Sequence, residues 1–415
     1  METSLLVDRP LYTRKLADLT DVPVTKVITG MRRCGKSSVL QLFKQQLLAK
    51  GIDGRRIIHM NFDSIATEPW QEAKLLYRHI AECIGESRDR YYLLFDEIQE
   101  VRDWPRAINS FMTDFSVDLT ITGSNAHLLS SELSTFLSGR YVEIPMLPLS
   151  FAEYIDFNRH FREEDKSLSE DRLFSDYLQY GSMPVLFYHR RDESLFSSLL
   201  LGLYNTVLTK DILARYQVKD VVVLDRLLRF IMANIGQTIS GRKISTTLSS
   251  ENIQVSHITV LHYLQMFCDA FILYRAERED VVSRDVLRTQ EKYYTVDIGI
   301  RNMLLGLRSI NMGSILENLV YLELLRRGYR VRIGKINQLE VDFIAEKTDR
   351  RLYIQVTQTL SDPRTMAREL EPLLRIPDQY PRAILSMDRT IAKDENGILL
   401  LNIVDELAFP EKGWL

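Results

Sequence analysis

The chain is short of cysteine, of long apolar runs and of net charge, and each shortage removes a class of protein. Its three cysteines, Cys34, Cys83 and Cys268, are odd in number and far apart. They outline neither a disulfide framework nor a zinc site, and a reducing cytosol is the expected environment. No stretch is apolar for long enough to span a bilayer, and the opening METSLLVDRPLY lacks the basic-then-apolar layout of a signal peptide. The expectation is a soluble cytoplasmic protein with no membrane partner. Lys and Arg number 53 against 56 Asp and Glu, a formal charge of −3. Any contact with nucleic acid must therefore come from a local patch. The 415 residues, 45% of them hydrophobic, suffice for more than one buried core.

The motif that decides the class comes early. The β-branched run Thr25–Thr29 (TKVIT) ends at Gly30, and helical periodicity begins at Ser38 with VLQLFKQQLLAK. Between them GMRRCGKS fits G-x4-G-K-[ST] without a mismatch. Gly30 and Gly35 permit backbone angles that turn successive N–H groups toward phosphate oxygens. Lys36 adds a charge for the outer phosphates, the Ser37 hydroxyl is a magnesium ligand, and the helix opening at Ser38 presents its positive end to the anion. Met31, Arg32, Arg33 and Cys34 complete the candidate ATP-binding loop. Beside the lysine, Cys34 reads as a small loop-filling residue rather than a reactive thiol.

A partner motif follows. Tyr91–Phe95 is a continuous apolar run of the kind a buried parallel strand shows, and it ends in Asp96-Glu97. At the carboxyl end of such a strand, Asp96 is placed to hold Mg2+ and Glu97 to polarise an attacking water. A third strand, Asp118–Thr122, ends in Gly123-Ser124-Asn125. Either Ser124 or Asn125 suits the γ-phosphate or the water, since successive side chains alternate in direction. With a further strand at Arg56–Phe62, strands and helices alternate to about residue 150, the pattern of a parallel sheet covered by helices on both faces.

The segments RPLYTRKL, GMRRCGKS, LLFDEIQEV, TITGSN, SGRYVEIPMLPLSFAEY and YYTVDIGIRN resemble the bacterial and archaeal AAA+ ATPases that carry a DUF4143 C-terminal region. The resemblance covers nearly the whole chain. It implies an AAA+ P-loop core over 1–155, a helical lid over 156–220, a winged-helix-like domain over 221–305 and a C-terminal PD-(D/E)xK nuclease-like α/β domain over 306–415. It also implies that Arg140, in LSGRY, reaches a neighbouring subunit's γ-phosphate, for which a planar guanidinium is suited. A structural pairing with a nearby carboxylate is the alternative for Arg140. Arg32 and Arg33 resemble the family's double arginine, with phosphate contact and loop packing both open.

The C-terminal half is less explicit. Residues 151–220 are helical by pattern with a break at Gly181–Pro184. Helices at Val221–Asn234, Ile244–Ser249 and Ser256–Asp269, followed by strands near Ile272–Ala276 and Glu291–Val296, make a winged-helix outline. Its third helix contains neither lysine nor arginine, unlike a usual major-groove reader. Arg242, Lys243, Arg278, Arg284, Arg288 and Lys292 are left as candidates for phosphate contact, and packing against protein is the alternative use. Further on, a helix at Ile315–Arg326 and strands at Tyr329–Ile333, Leu339–Ala345 and Leu352–Val356 place Glu317, Asp342, Gln355 and Thr357 at nuclease-like positions. Cleavage needs carboxylates for magnesium and a lysine for charge. Glutamine and threonine stand where the second acid and the lysine belong, so an inactive, binding domain is expected.

The expected function is Mg2+-dependent ATP hydrolysis by a homo-oligomer, and the resemblance and the winged-helix outline imply DNA as the macromolecular target. The alternative is a nucleotide-switched scaffold with negligible turnover.

Overall fold

A strand without polar alternation needs cover on both faces, and Thr25–Thr29 and Tyr92–Asp96 are buried along their length. The computed structural model describes residues 6–126, 139–162, 166–188, 192–250, 253–306, 311–389, 394–411 and 414. The chain divides into two compact units, Met1–Met146 and Leu147–Leu415.

The first unit runs α1 (Pro10–Asp18), β1 (Thr25–Thr29), α2 (Lys36–Ala49), β2 (Ile57–Asn61), α3 (Ala73–Ile84), β3 (Tyr91–Asp96), α4 (Trp104–Asp114), β4 (Val117–Gly123) and β5 (Tyr141–Pro145). Its five strands are parallel, in the order β2-β3-β4-β1-β5. Alternation divides β3 between two cores. Leu93 and Phe95 pack with Val27, Ile121 and the inner faces of α3 and α4, while Tyr92 and Leu94 pack with Ile28 and the helices α1 and α2. This is the helix-covered parallel sheet that the sequence pattern predicts. Because β4 lies between β1 and β3, its carboxyl end separates the loop after β1 from the acidic pair after β3. Near the opposite end of the sheet, Lys26 on β1 is fully buried and paired with Asp118 on β4.

The second unit begins with α5 (Phe151–Phe161), α6 (Glu170–Tyr180) and α7 (Glu193–Thr206), the last continuing into a π-helical segment, Val207–Leu213. Next come α8 (Val221–Ala233), β6 (Thr238–Ile239), α9 (Gly241–Ser250), α10 (His257–Asp269), β7 (Leu273–Asp280), β8 (Val286–Thr295) and α11 (Ile298–Leu305). The chain closes with α12 (Met312–Arg326), β9 (Arg330–Ile336), β10 (Leu339–Lys347), β11 (Arg350–Val356), α13 (Pro363–Leu374), β12 (Arg382–Ser386), β13 (Asp394–Glu395), β14 (Ile398–Asn402) and α14 (Ile403–Ala408). The β7–β8 pair is no separate ribbon. β7 runs parallel to β9 through Arg278↔Ile333, and one sheet of nine strands, β13-β14-β12-β11-β10-β9-β7-β8-β6, continues across residues 305 and 306.

The DIGIRN segment has a structural use. Asp297 accepts the Ser182 N–H at 2.6 Å and the Ser182 hydroxyl at 2.7 Å, and also caps α11 through the Ile300 N–H. Asn302 donates to the carbonyls of Leu178 and Gln179. Gly299 passes so near the end of α6 that a Cβ there would lie 2.0 Å from the Tyr180 oxygen, so only glycine fits. Together these contacts pin the Gly181–Pro184 break.

A buried ion cluster ties β8 to its surroundings. Lys292, 3% exposed, lies 2.9 Å from Glu317 of α12, 2.7 Å from Glu340 and 4.0 Å from Asp342, both of β10. Burial opposes its charge, but the three carboxylates together hold the ammonium above its ordinary pKa. Removing one partner of such a cluster strands the others without compensation, at a cost of about 3–5 kcal/mol. Lys292→Met is therefore expected to lower the urea midpoint of the second unit substantially, and Glu317→Gln in the same chain to recover part of the loss. An unchanged midpoint in Lys292→Met would refute this account.

Candidate functional site

The loop between β1 and α2 is set by sterics before it is set by charge. A Cβ on Gly30 would meet the Met146 carbonyl oxygen at 2.1 Å, and Gly35 adopts φ +109°; neither position accepts another residue without distortion. Cys34 is fully buried, its thiol 3.5 Å from the Met146 carbonyl. Burial pushes that thiol above its usual pKa, as befits a filler and not a nucleophile. Arg9, just ahead of α1, donates to the Cys34 carbonyl at 2.8 Å and lies over the Tyr12 ring. It is a loop-holding residue that sequence reasoning missed, although it belongs to the RPLYTRKL segment.

The charged groups converge above the strand ends. Lys36 is buried and donates to the carbonyls of Gly30 at 2.9 Å and Met31 at 3.1 Å, with Glu97 at 3.5 Å. Burial works against its ammonium, but Glu97 leads the charges that raise its pKa overall. Asp96 is hydrogen-bonded to Ser37, and burial pushes its carboxyl above the usual range. For Glu97 burial is outweighed by Lys36 and by hydrogen bonds from Gln99 and Ser124, so its pKa is lowered. The loop lysine and serine and the acidic pair, four positions picked from two distant segments, thus meet in one place. Ser38 follows in the first turn of α2, half-buried, and Met31 is buried.

Thr122 organises the pair and was not singled out from sequence. Its hydroxyl donates to Asp96 at 2.5 Å and accepts the Glu97 N–H at 3.0 Å. Glu97 needs this support because it sits at φ +52°, a left-handed conformation costing a non-glycine residue about 1–2 kcal/mol. Of the two candidates after β4, Ser124 is hydrogen-bonded to Glu97, and Asn125 is fully buried beside it in the chain. The two arginines of the loop part company. Arg32 is buried, 4.0 Å from Asp63, while Arg33 is exposed at φ +61°. Arg140 is exposed just before the edge strand β5, and its carbonyl accepts the Thr25 N–H.

The C-terminal positions also gather. The Gln355 amide oxygen accepts the Asp342 N–H at 2.6 Å, and its amide donates to Glu369 at 3.2 Å. Glu317 and Asp342 both face Lys292. Position 357 holds a buried threonine, and a lysine reaches the group from elsewhere, Lys292 of β8. Glu340, on the same side of β10 as Asp342, joins it. Burial pushes the Asp342 and Glu317 carboxyls up. Among the described residues no group of three or more His, Cys, Asp or Glu is arranged to hold a metal, and no helix is long and apolar enough to cross a membrane.

Comparison with known proteins agrees with this fold. Residues 23–155 match the AAA domain family. Residues 171–311 match a domain of unknown function, DUF8612, which is a different family from DUF4143. The Walker-type ATPase paby2304 of Pyrococcus abyssi shares the fold with a TM-score of 0.51 at 16% identity, over 72% of this chain and 95% of that one. The uncharacterized protein MJ1544 of Methanocaldococcus jannaschii is 29% identical over 81% of this chain and 75% of its own length. An uncharacterized protein of Haemophilus influenzae is 37% identical over 97% of this chain and 98% of its own. With its five-stranded P-loop core, the chain belongs to the same family as that Haemophilus influenzae protein, an AAA+ ATPase-like family.

Proposed function

We propose that this chain is a Mg2+-dependent ATP hydrolase that acts as a homo-oligomer and uses the nucleotide cycle to move its C-terminal half. The observation that carries the reading is the convergence of Lys36, Ser37, Asp96 and Glu97, with Ser124, at the ends of three adjacent strands. Gly30–Ser38 would wrap the phosphates of ATP, and Lys36 would exchange its loop carbonyls for phosphate oxygens. Ser37 and Asp96 are oxygen donors that suit a hard cation, and the raised pKa of Asp96 is a burial penalty that a cation would relieve. Bound there, Mg2+ would neutralise phosphate charge. Glu97 takes a proton from water as the water oxygen bonds to the γ-phosphorus and the bond to the ADP oxygen breaks. Arg140, exposed at the sheet edge, acts on a neighbouring copy's phosphates.

For the C-terminal half we retain the resemblance to DUF4143 proteins, and with it a lid, a winged-helix-like segment and a nuclease-like domain that binds DNA without cutting it. Lys292 is already committed to three carboxylates. The Lys36–Glu97 contact at 3.5 Å also favours a second reading, a nucleotide-switched scaffold in which that pair keeps the base idle.

Three measurements decide among these readings. Glu97→Gln is expected to lower the rate of phosphate release at least about a hundredfold while ATP still binds. Unchanged turnover would remove the hydrolase reading, and tight ATP binding by wild type without turnover would leave the switch. Arg140→Ala is expected to reduce turnover at least about tenfold with ATP affinity retained, and activity should return in mixtures with Lys36→Ala chains. No recovery on mixing would argue against action between subunits. Plasmid DNA incubated with Mg2+ or Mn2+ should stay intact; cleavage abolished by Asp342→Ala would restore the nuclease reading.

A further inference from the structure

One polar side chain beside the acidic pair has a role that the hydrolase reading leaves unassigned. Gln99 lies in the short turn Ile98–Glu100, which begins directly after Glu97. The turn is held by the Glu100 N–H on the Glu97 carbonyl at 3.1 Å and by Ile98, fully buried in the core under α3 and α4. The backbone that carries Gln99 is therefore fixed by packing. Its amide nitrogen lies 2.5 Å from Glu97 Oε2 and 3.4 Å from Ser124 Oγ. An ionised carboxylate can only accept, so the nitrogen and not the oxygen must face Glu97. That leaves Gln99 Oε1 buried and, among the described residues, without a donor. A buried carbonyl in that state calls for a water or a ligand to supply the hydrogen.

The geometry points to Gln99 as a second water-orienting residue, acting with Glu97 on the nucleophile of ATP hydrolysis. This rests on the hydrolase reading. The Gln99 amide nitrogen fixes the Glu97 carboxylate against Ser124, and Oε1 accepts one hydrogen of the attacking water. The other hydrogen goes to Glu97 as the new bond to the γ-phosphorus forms and ADP leaves. A water held by two acceptors keeps a lone pair directed at phosphorus, and neither acceptor contacts the nucleotide. The contribution should appear in turnover and not in binding.

Gln99→Met keeps length and removes both polar atoms. It is expected to lower kcat at least about tenfold, with KM for ATP and the affinity for a non-hydrolysable ATP analogue within about twofold of wild type. In the Glu97→Gln background, followed by single-turnover phosphate release, the second change should cost less than about twofold more, because the two residues act as one unit. The thermal unfolding midpoint of Gln99→Met separates lost orientation from lost fold. If the midpoint falls, kcat is compared with wild type at a temperature where circular dichroism shows both chains folded, and the tenfold loss is expected to persist there. Three results would overturn the proposal: kcat in Gln99→Met within twofold of wild type, a loss carried by KM, or a full additive loss in the double variant. Should Glu97→Gln itself leave turnover unchanged, it is the hydrolase reading that fails; loss in Glu97→Gln with normal Gln99→Met fails this inference alone.

Discussion

The acidic pair depends on one hydroxyl. At the end of β3 the chain must turn sharply enough to aim two successive carboxylates at the same space, and it does so by putting Glu97 in a left-handed conformation. Nothing in Glu97 favours that conformation; an L-residue resists it. Thr122 makes it tenable by accepting the Glu97 N–H while donating to Asp96. Because β4 runs between β3 and β1, the same strand end presents Ser124 to Glu97. Strand order, more than any single side chain, brings the lysine of one segment and the carboxylates of another together.

The phosphate loop is constrained from two directions. Below it, the Met146 carbonyl approaches Gly30 so closely that no Cβ fits, and the Cys34 thiol fills the remaining space. From the N-terminal side, Arg9 holds the Cys34 carbonyl. A loop held this way keeps its shape while Lys36, among the described residues, is bonded to two neutral carbonyls and to one carboxylate at 3.5 Å, contacts that a polyphosphate can replace.

What could be read from the sequence was what local pattern encodes. The apolar run before Asp96, the glycine spacing of 30–37 and the helical period after Ser38 each reflect a constraint met within a few residues, and the strands and helices there form as expected. Thr122, Gln99 and Arg9 escaped notice because their importance lies in contacts across the sheet or across the loop, and no spacing rule announces them. The sheet of the second unit was missed for the same reason. Nothing local says that β7 will pair with β9, so a hairpin and a later group of strands read as separate domains. Lys292 shows the same effect: the local pattern directs attention to position 357, two residues past Gln355, while the sheet brings a lysine from β8.

Two of the buried lysines, Lys36 and Lys292, show how burial alone does not decide what a cation is for. Lys36 and Lys292 are each 3% exposed, and both are held above their ordinary pKa by carboxylates that outweigh desolvation. They differ in what they would lose by moving. Lys292 satisfies three carboxylates contributed by α12 and β10, and two of these, Glu317 and Asp342, are themselves pushed up by burial. Displacing it leaves negative charge in a dry interior, a cost of several kcal/mol. Lys36 gives up two carbonyl contacts and a longer ion pair, and a phosphate arriving beside it supplies more negative charge than it loses. The first arrangement is closed and structural; the second can exchange, which the proposed phosphate contact requires.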